Sequence, residues 1–419
     1  MPPLSVLAIA AIFVVALVLR GLWLLETDTV IPPLSDPQYY HATATNIAEG
    51  RGYSVAVDER GFVAGPQSEG TAFWAPGFSV ALAPFYKLFG AEPGVAKAFN
   101  AIAGALTVVP VFFIGRRLRG DACGLLAATL FALLPALVFW TASAFSEPLF
   151  TLGVATTLAL AMHAGGRSSV AWCFAAGIAL IATAFVRSQG LLLLVPVVLL
   201  LVRSYDWRTV VRTMAPVAAA IALFVVPWAI RNQAVMGEPT LINNNLGYNL
   251  RLAHAPYSTG TSIPPQDLWD EQPGISFKER ELLFDDLGRE RAIDYALAHP
   301  GREMELAVKR VLYLLESDAA ASIDWSESLG RTPLERGRDA YVLIGDVYWY
   351  AMLGLAAASL VFVRRTREWW ALWATIAAWV ALHTVFAGEP RYHVPIAPVI
   401  AVLAAAAAIE VARSSSRRD

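Results

Sequence analysis

The residues best suited to chemistry lie in 35–50, the stretch Ser-Asp-Pro-Gln-Tyr-Tyr-His-Ala-Thr-Ala-Thr-Asn-Ile-Ala-Glu-Gly, directly after the first long apolar run. Asp36 suits a helix N-cap, Pro37 a first helical position and Gly50 a helix stop. On that helix Asp36, Tyr39, Tyr40 and Thr43 recur at i, i+3, i+4 and i+7, so they share one face. A carboxylate flanked by two phenols can grip a polar head group and take a proton. The same residues also suit a capped helix with its tyrosines at a lipid interface. The local sequence leaves both readings open.

Further charges recur at the ends of apolar runs. Glu147 follows Ser146 at the start of one, as a cap or as a second acid facing Asp36. Arg187 lies between two runs with almost no loop, where a charge must snorkel or find an anion. Arg231 ends another run, and Arg391 stands beside His393 in Glu-Pro-Arg-Tyr-His-Val-Pro. Three arginines opposite two carboxylates fit a lipid phosphate, because a planar guanidinium binds two oxygens at once.

These residues need a membrane scaffold. The chain is 57% hydrophobic and 16% charged, with mean hydropathy +0.52, more apolar surface than 419 soluble residues can bury. Apolar runs of this length are spanning helices, since lipid satisfies no backbone group. A net charge of −2 offers no field for nucleic acid, which is not expected as a partner. Cys123 and Cys173 sit inside apolar runs as small core residues. No metal-type cluster or D-x-D pair occurs, so no metal or other cofactor is expected.

The runs predict ten spans, at 4–25, 95–115, 121–142, 147–163, 170–186, 189–203, 213–230, 341–363, 368–387 and 393–412. The 76–90 helix is too short to cross and is read as interfacial. With cytoplasmic termini, Arg116, Arg117, Arg119, Arg167, Arg203, Arg208, Arg212, Arg364, Arg365, Arg367, Arg413, Arg417 and Arg418 fall inside; the short outer loops keep only Arg187 and Arg391. Three parts follow: 1–230 with a first outer loop at 26–94, an outer region at 231–340, and 341–419. Within 231–340, helices are expected at 277–299 and 302–316. Met304, Val308, Val311, Leu312 and Leu315 line one face of the second, which would rest on the membrane or on the loop.

Taken in order, several pieces resemble a known group. They are Asp36 with Tyr39-Tyr40, Asn46-Ile47-Ala48-Glu49-Gly50-Arg51-Gly52-Tyr53 and Ala75-Pro76-Gly77-Phe78. Ser146-Glu147-Pro148-Leu149-Phe150, Pro227-Trp228-Ala229-Ile230-Arg231-Asn232 and Pro390-Arg391-Tyr392-His393-Val394-Pro395 complete them. The chain resembles polytopic glycosyltransferases of the GT-C type. It is most similar to the family 39-like branch of protein O-mannosyltransferases and lipid A aminoarabinose transferases. The resemblance implies an all-α GT-C-like membrane fold, a polyprenyl-phosphate sugar donor and an inverting mechanism with Asp36 as catalytic acid residue. Many relatives carry a second acid directly after it; here that position is Pro37, and Glu147 is the substitute.

On this reading Asp36 takes the proton of an acceptor hydroxyl. Arg187, Arg231 and Arg391 hold the departing lipid phosphate, with Tyr39, Tyr40 and His393 beside the donor. The acceptor is a glycan, lipid or protein, and the enzyme sits among membrane lipids, in a bacterial plasma membrane with its site outside. A transporter or flippase of polyprenyl-linked sugars is the alternative; the repeated broken helices that favour it are not seen.

Overall fold

The computed structural model describes residues 3–27, 31, 35–57, 68–167, 169–203, 206–271, 274–328 and 337–415. Asp28, Asp58, Glu59, Arg417 and Arg418 lie outside them. The fold is an all-α bundle with one two-stranded ribbon, Ser54–Val55 antiparallel to Glu69–Gly70. Six helices are long and apolar enough to cross a membrane: Leu4–Leu25, Pro93–Arg119, Glu147–Gly166, Trp207–Met236, Arg338–Phe362 and Pro390–Ser414. The bent pair Asp121–Ala132 and Pro135–Ser143 would make seven. The other expected spans form Val170–Val186, Ser188–Leu201 and Arg367–Val385, which pack in the same bundle but are shorter or less apolar.

Two expected spans are not simple helices. The expected 121–142 helix bends by 59°. Pro135 is the cause: it drives Leu134 out of the helical region, to ψ 113°, and leaves a short helix and a 3-10 turn beyond it. The Leu4–Leu25 helix is mostly exposed to lipid, whereas Ala397–Ser415 is almost wholly enclosed up to Ala407 by the helices around it.

The bundle has two chemically different ends. At one, Arg116 meets Asp121 at 2.8 Å, Arg117 meets Glu368 at 2.9 Å and Arg119 meets Glu410 at 3.1 Å. Ser5 donates to Asp121 at 2.7 Å at the same end. At the other, Trp23 donates to Phe139 O, Asn100 to Phe145 O and Trp140 to Asp318. The Gly77–Phe89 helix lies along the Asp36–Ala48 helix through Thr43–Ser79, Tyr40–Phe78 and His41–Tyr86 contacts. Both its Phe78 and its Phe85 pack on Phe99, so it stays at that second end.

Within 231–340 the helices are Phe277–Ala298 and Pro300–Leu315, close to expectation. The second buries Leu306, Arg310 and Leu314, and leaves Met304, Val308 and Leu312 exposed. Its apolar stripe therefore faces away from the loop, the arrangement of a helix lying at a membrane surface.

Candidate active site

Asp36 opens the Asp36–Ala48 helix, but it does not cap it. Ser35 holds the cap position, with extended φ −124° and ψ 153°, and its carbonyl accepts from Gln38 N and Tyr39 N. Asp36 is then the first helical residue, and Pro37 the second. The expected capping role passes to Ser35 because proline's fixed φ suits either of the first two helical positions. The helix ends at Ala48, and Gly50 follows at φ +82°, as expected of a stop.

The Asp36 carboxylate is half-buried and has no hydrogen bond or ion pair among the described residues. Burial pushes its pKa up; Arg391 and Arg187 pull it back, and Glu147 and Glu389 add to the rise. The net shift is upward, toward the range in which a carboxylate exchanges protons readily. Tyr40 stands beside it, its phenol held protonated first by burial and then by the Asp36 charge. Ser146 Oγ lies 3.4 Å from the Tyr40 hydroxyl.

Arg187 sits in the break between Val170–Val186 and the Ser188–Leu193 turn. Its Nη1 donates to Glu147 at 2.9 Å and Ser146 Oγ at 3.2 Å, and its Nε to Gln189 at 3.2 Å. Glu147 and Arg187 thus bind each other. Glu147 Oε2 is buried without a partner among the described residues. Arg391 approaches from the Pro390–Ile396 turn. Its Nε is 3.2 Å from Glu389 Oε2, at ion-pair distance without hydrogen-bond geometry, and its guanidinium lies 4.4 Å over the Phe145 ring. Glu389 Oε1 also accepts from Ser262 N, and Tyr392 shares a 2.9 Å hydrogen bond with Ser262. Gly388 permits this approach: a Cβ there would lie 2.1 Å from Arg310 O.

Three expected site residues are used elsewhere. Arg231 does not join the cluster: its Nη1 donates to Thr71 O and Asn232, its Nη2 to Tyr53 O, and it stacks over Trp228. With these donors on Thr71 O and Tyr53 O, Arg231 straps the first loop to the bundle. His393 is fully buried, stacked at 3.8 Å on Trp349 and hydrogen-bonded through Nδ1 to Leu314 O, with Nε2 3.3 Å from Asp318 but without hydrogen-bond geometry. Tyr39 stacks on Trp74 at 4.2 Å and on Phe277, pinning the first loop to the outer region.

Sequence reasoning missed Glu389, Tyr248 and Glu281. Glu389 stood in the motif around Arg391 and was passed over for its neighbour. Tyr248 and Glu281 carry no local signal, since each meets the first loop only in the fold, Tyr248 by packing on Phe73 with ring centroids 5.3 Å apart. Glu281 is fully buried, accepting from Thr71 Oγ1 at 2.6 Å and Ala72 N at 2.9 Å. Burial pushes it to about 7, against the pull of those donors. Its folded value is above the ordinary 4.5, so its contribution to stability is full below about 4.5 and is lost as pH rises through about 7. Thermal melts of the purified protein should therefore fall across that interval, and Glu281→Gln should flatten the slope. An unchanged slope in the variant would assign the pH dependence to other groups.

The fold defines a class: this is an all-α integral membrane protein with a GT-C-like fold, as the comparison with solved structures shows. Residues 74–230 match the family model described as dolichyl-phosphate-mannose-protein mannosyltransferase. Among solved structures, the archaeal oligosaccharyltransferase AglB from Archaeoglobus fulgidus, in complex with an inhibitory peptide and a dolichol-phosphate, matches at TM-score 0.55 and 16% identity. That match covers 100% of this chain and 52% of AglB, so the chain spans about half the length of that relative. ArnT from Cupriavidus metallidurans bound to undecaprenyl phosphate is a weaker likeness, with TM-score 0.41, 14% identity, and 96% and 77% of the two chains covered. No curated protein matches the sequence.

Proposed function

We propose that this protein is an inverting glycosyltransferase that moves a sugar from a polyprenyl-phosphate donor to an acceptor hydroxyl. One observation carries the reading: Asp36, without a direct partner among the described residues, stands in the field of two arginines at the end of a membrane bundle. A carboxylate left in this state can accept a proton, and guanidinium groups beside it can take the negative charge that leaves. The dolichol-phosphate in the AglB complex supports a lipid phosphate as the donor class.

In this mechanism the acceptor oxygen attacks the anomeric carbon from the side opposite the phosphate. Asp36 takes its proton as the new bond forms. The bond from the anomeric carbon to the phosphate oxygen breaks, and its electron pair leaves on that oxygen. Arg391, ion-paired to Glu389 but with no hydrogen bond from Nη1 or Nη2 among the described residues, faces that charge. Arg187 adds its field while tied to Glu147. Tyr40 borders the same space. Tyr39, Arg231 and His393 are read as structural supports.

The Asp36 end is proposed to face outward, across a bacterial plasma membrane, because the other end gathers the arginines. The test is transfer by the full chain in detergent from polyprenyl-phosphate-linked sugars to candidate acceptors. Release of polyprenyl phosphate coupled to product is expected, with cysteine at Ser262 labelled from outside intact cells. Movement of donor between leaflets with no release would identify a flippase instead, and labelling only after lysis would reverse the orientation.

A further inference from the structure

The end of the bundle away from Asp36 holds an open cavity of about 390 Å³ lined by Arg117, Arg203, Arg367 and Glu368. Three chain segments build it. Arg117 lies in the last turn of Val108–Arg119, Arg203 just beyond Leu194–Leu201, and Arg367 and Glu368 open Arg367–Val385. The Glu147–Arg167 helix packs its glycines behind two of these arginines: a Cβ at Gly166 would lie 3.6 Å from Arg117 Nη2, and one at Gly165 would lie 3.7 Å from Arg203 Nη2. The cavity is within the size range of small-ligand sites.

Its charge is not balanced from within. Glu368 pairs with Arg117 at 2.9 Å, and Arg367 Nη1 donates to Val202 O at 2.7 Å. Among the described residues Arg203 has no hydrogen bond or ion pair. Three guanidinium groups against one carboxylate leave two positive charges in one concave site. Like charges held this close call for an anion.

The level of the cavity points to the kind of anion. Trp172, Trp207 and Trp370 open helices at this end of the bundle and are 36%, 66% and 52% exposed. Exposed tryptophans at helix ends sit at the headgroup layer of a bilayer. Basic pockets between spanning helices on one face take anionic headgroups. Guanidinium groups match phosphate oxygens in pairs. We propose that this cavity binds the phosphodiester of an anionic phospholipid, held by Arg203 and Arg367 with Arg117 completing the wall.

The experiment is native mass spectrometry of the full chain released from micelles with equal phosphatidylglycerol and phosphatidylcholine. Retained phosphatidylglycerol should exceed phosphatidylcholine, and Arg203→Gln should lower its retention roughly tenfold, the worth of one charge-assisted contact. Arg203 makes no hydrogen bond or ion pair among the described residues, so the variant should elute unchanged on size exclusion. Arg289→Gln, on an outer-region helix, should leave retention unchanged. Equal retention of the two lipids, or full retention in Arg203→Gln, would overturn the proposal. Displacement of phosphatidylglycerol by excess inorganic phosphate would also overturn it, making the cavity a site for free phosphate.

Discussion

Asp36→Asn should fold normally and lose sugar transfer by roughly 10²-fold or more, the usual worth of a positioned base. Asparagine keeps the shape of the side chain and cannot take the proton. The fold gives little reason for damage: Ser35 holds the cap position, and Asp36 makes no hydrogen bond or ion pair among the described residues. Only its favourable place at a helix N-terminus is lost, worth about 0.3–1 kcal/mol. The measurement is kcat for transfer by purified variant, with its melting temperature as control. Glu147→Gln is the contrast. It removes one partner of the buried Arg187 pair and should cost about 3–5 kcal/mol of stability. If Asp36→Asn retains most of its turnover, Asp36 is not the base.

Arg391→Ala should lower kcat by roughly 10²–10³-fold, the range for deleting a donor aimed at developing charge. Arg391→Lys should recover only part of the rate, because a point charge replaces a planar fork. The guanidinium rests over Phe145, so Ala also removes packing; Lys separates that loss from the loss of charge geometry. Arg231→Ala is expected to weaken the fold and leave donor affinity unchanged, since its donors already hold Tyr53 O and Thr71 O. Turnover near wild type in Arg391→Ala would remove Arg391 from the charge-stabilising role.

The shared face of Asp36 and Tyr40, the short Gly77–Phe89 helix and the helices of 231–340 were legible because periodicity and Pro or Gly punctuation are local. The roles of the arginines were not. Arg187 finds Glu147 40 residues away, and Arg231 finds Tyr53 178 residues away. A span-end arginine looks alike in sequence whether a carboxylate, a carbonyl or a ligand awaits it. His393 misled for the same reason: its partners Asp318 and Trp349 come from outside its own motif. The apolar stripe at Met304, Val308 and Leu312 was visible, but which side of the helix the protein would cover was not.

The enclosed position of Ala397–Ser415 bears on how the molecule is made. This helix touches Val108–Arg119, Asp121–Ala132 and Arg338–Phe362, all synthesised before it. Until it leaves the ribosome, those three helices must wait in the bilayer with lipid where its alanines will lie. Its place is therefore in the middle of these helices, between elements made earlier, rather than at their edge. Because Arg391 sits on the turn that leads into this helix, its field acts on Asp36 only once this segment is in place. Nascent chains stalled before residue 390 would hold Asp36 and Arg187 without Arg391, so the charge cluster is completed by this segment alone.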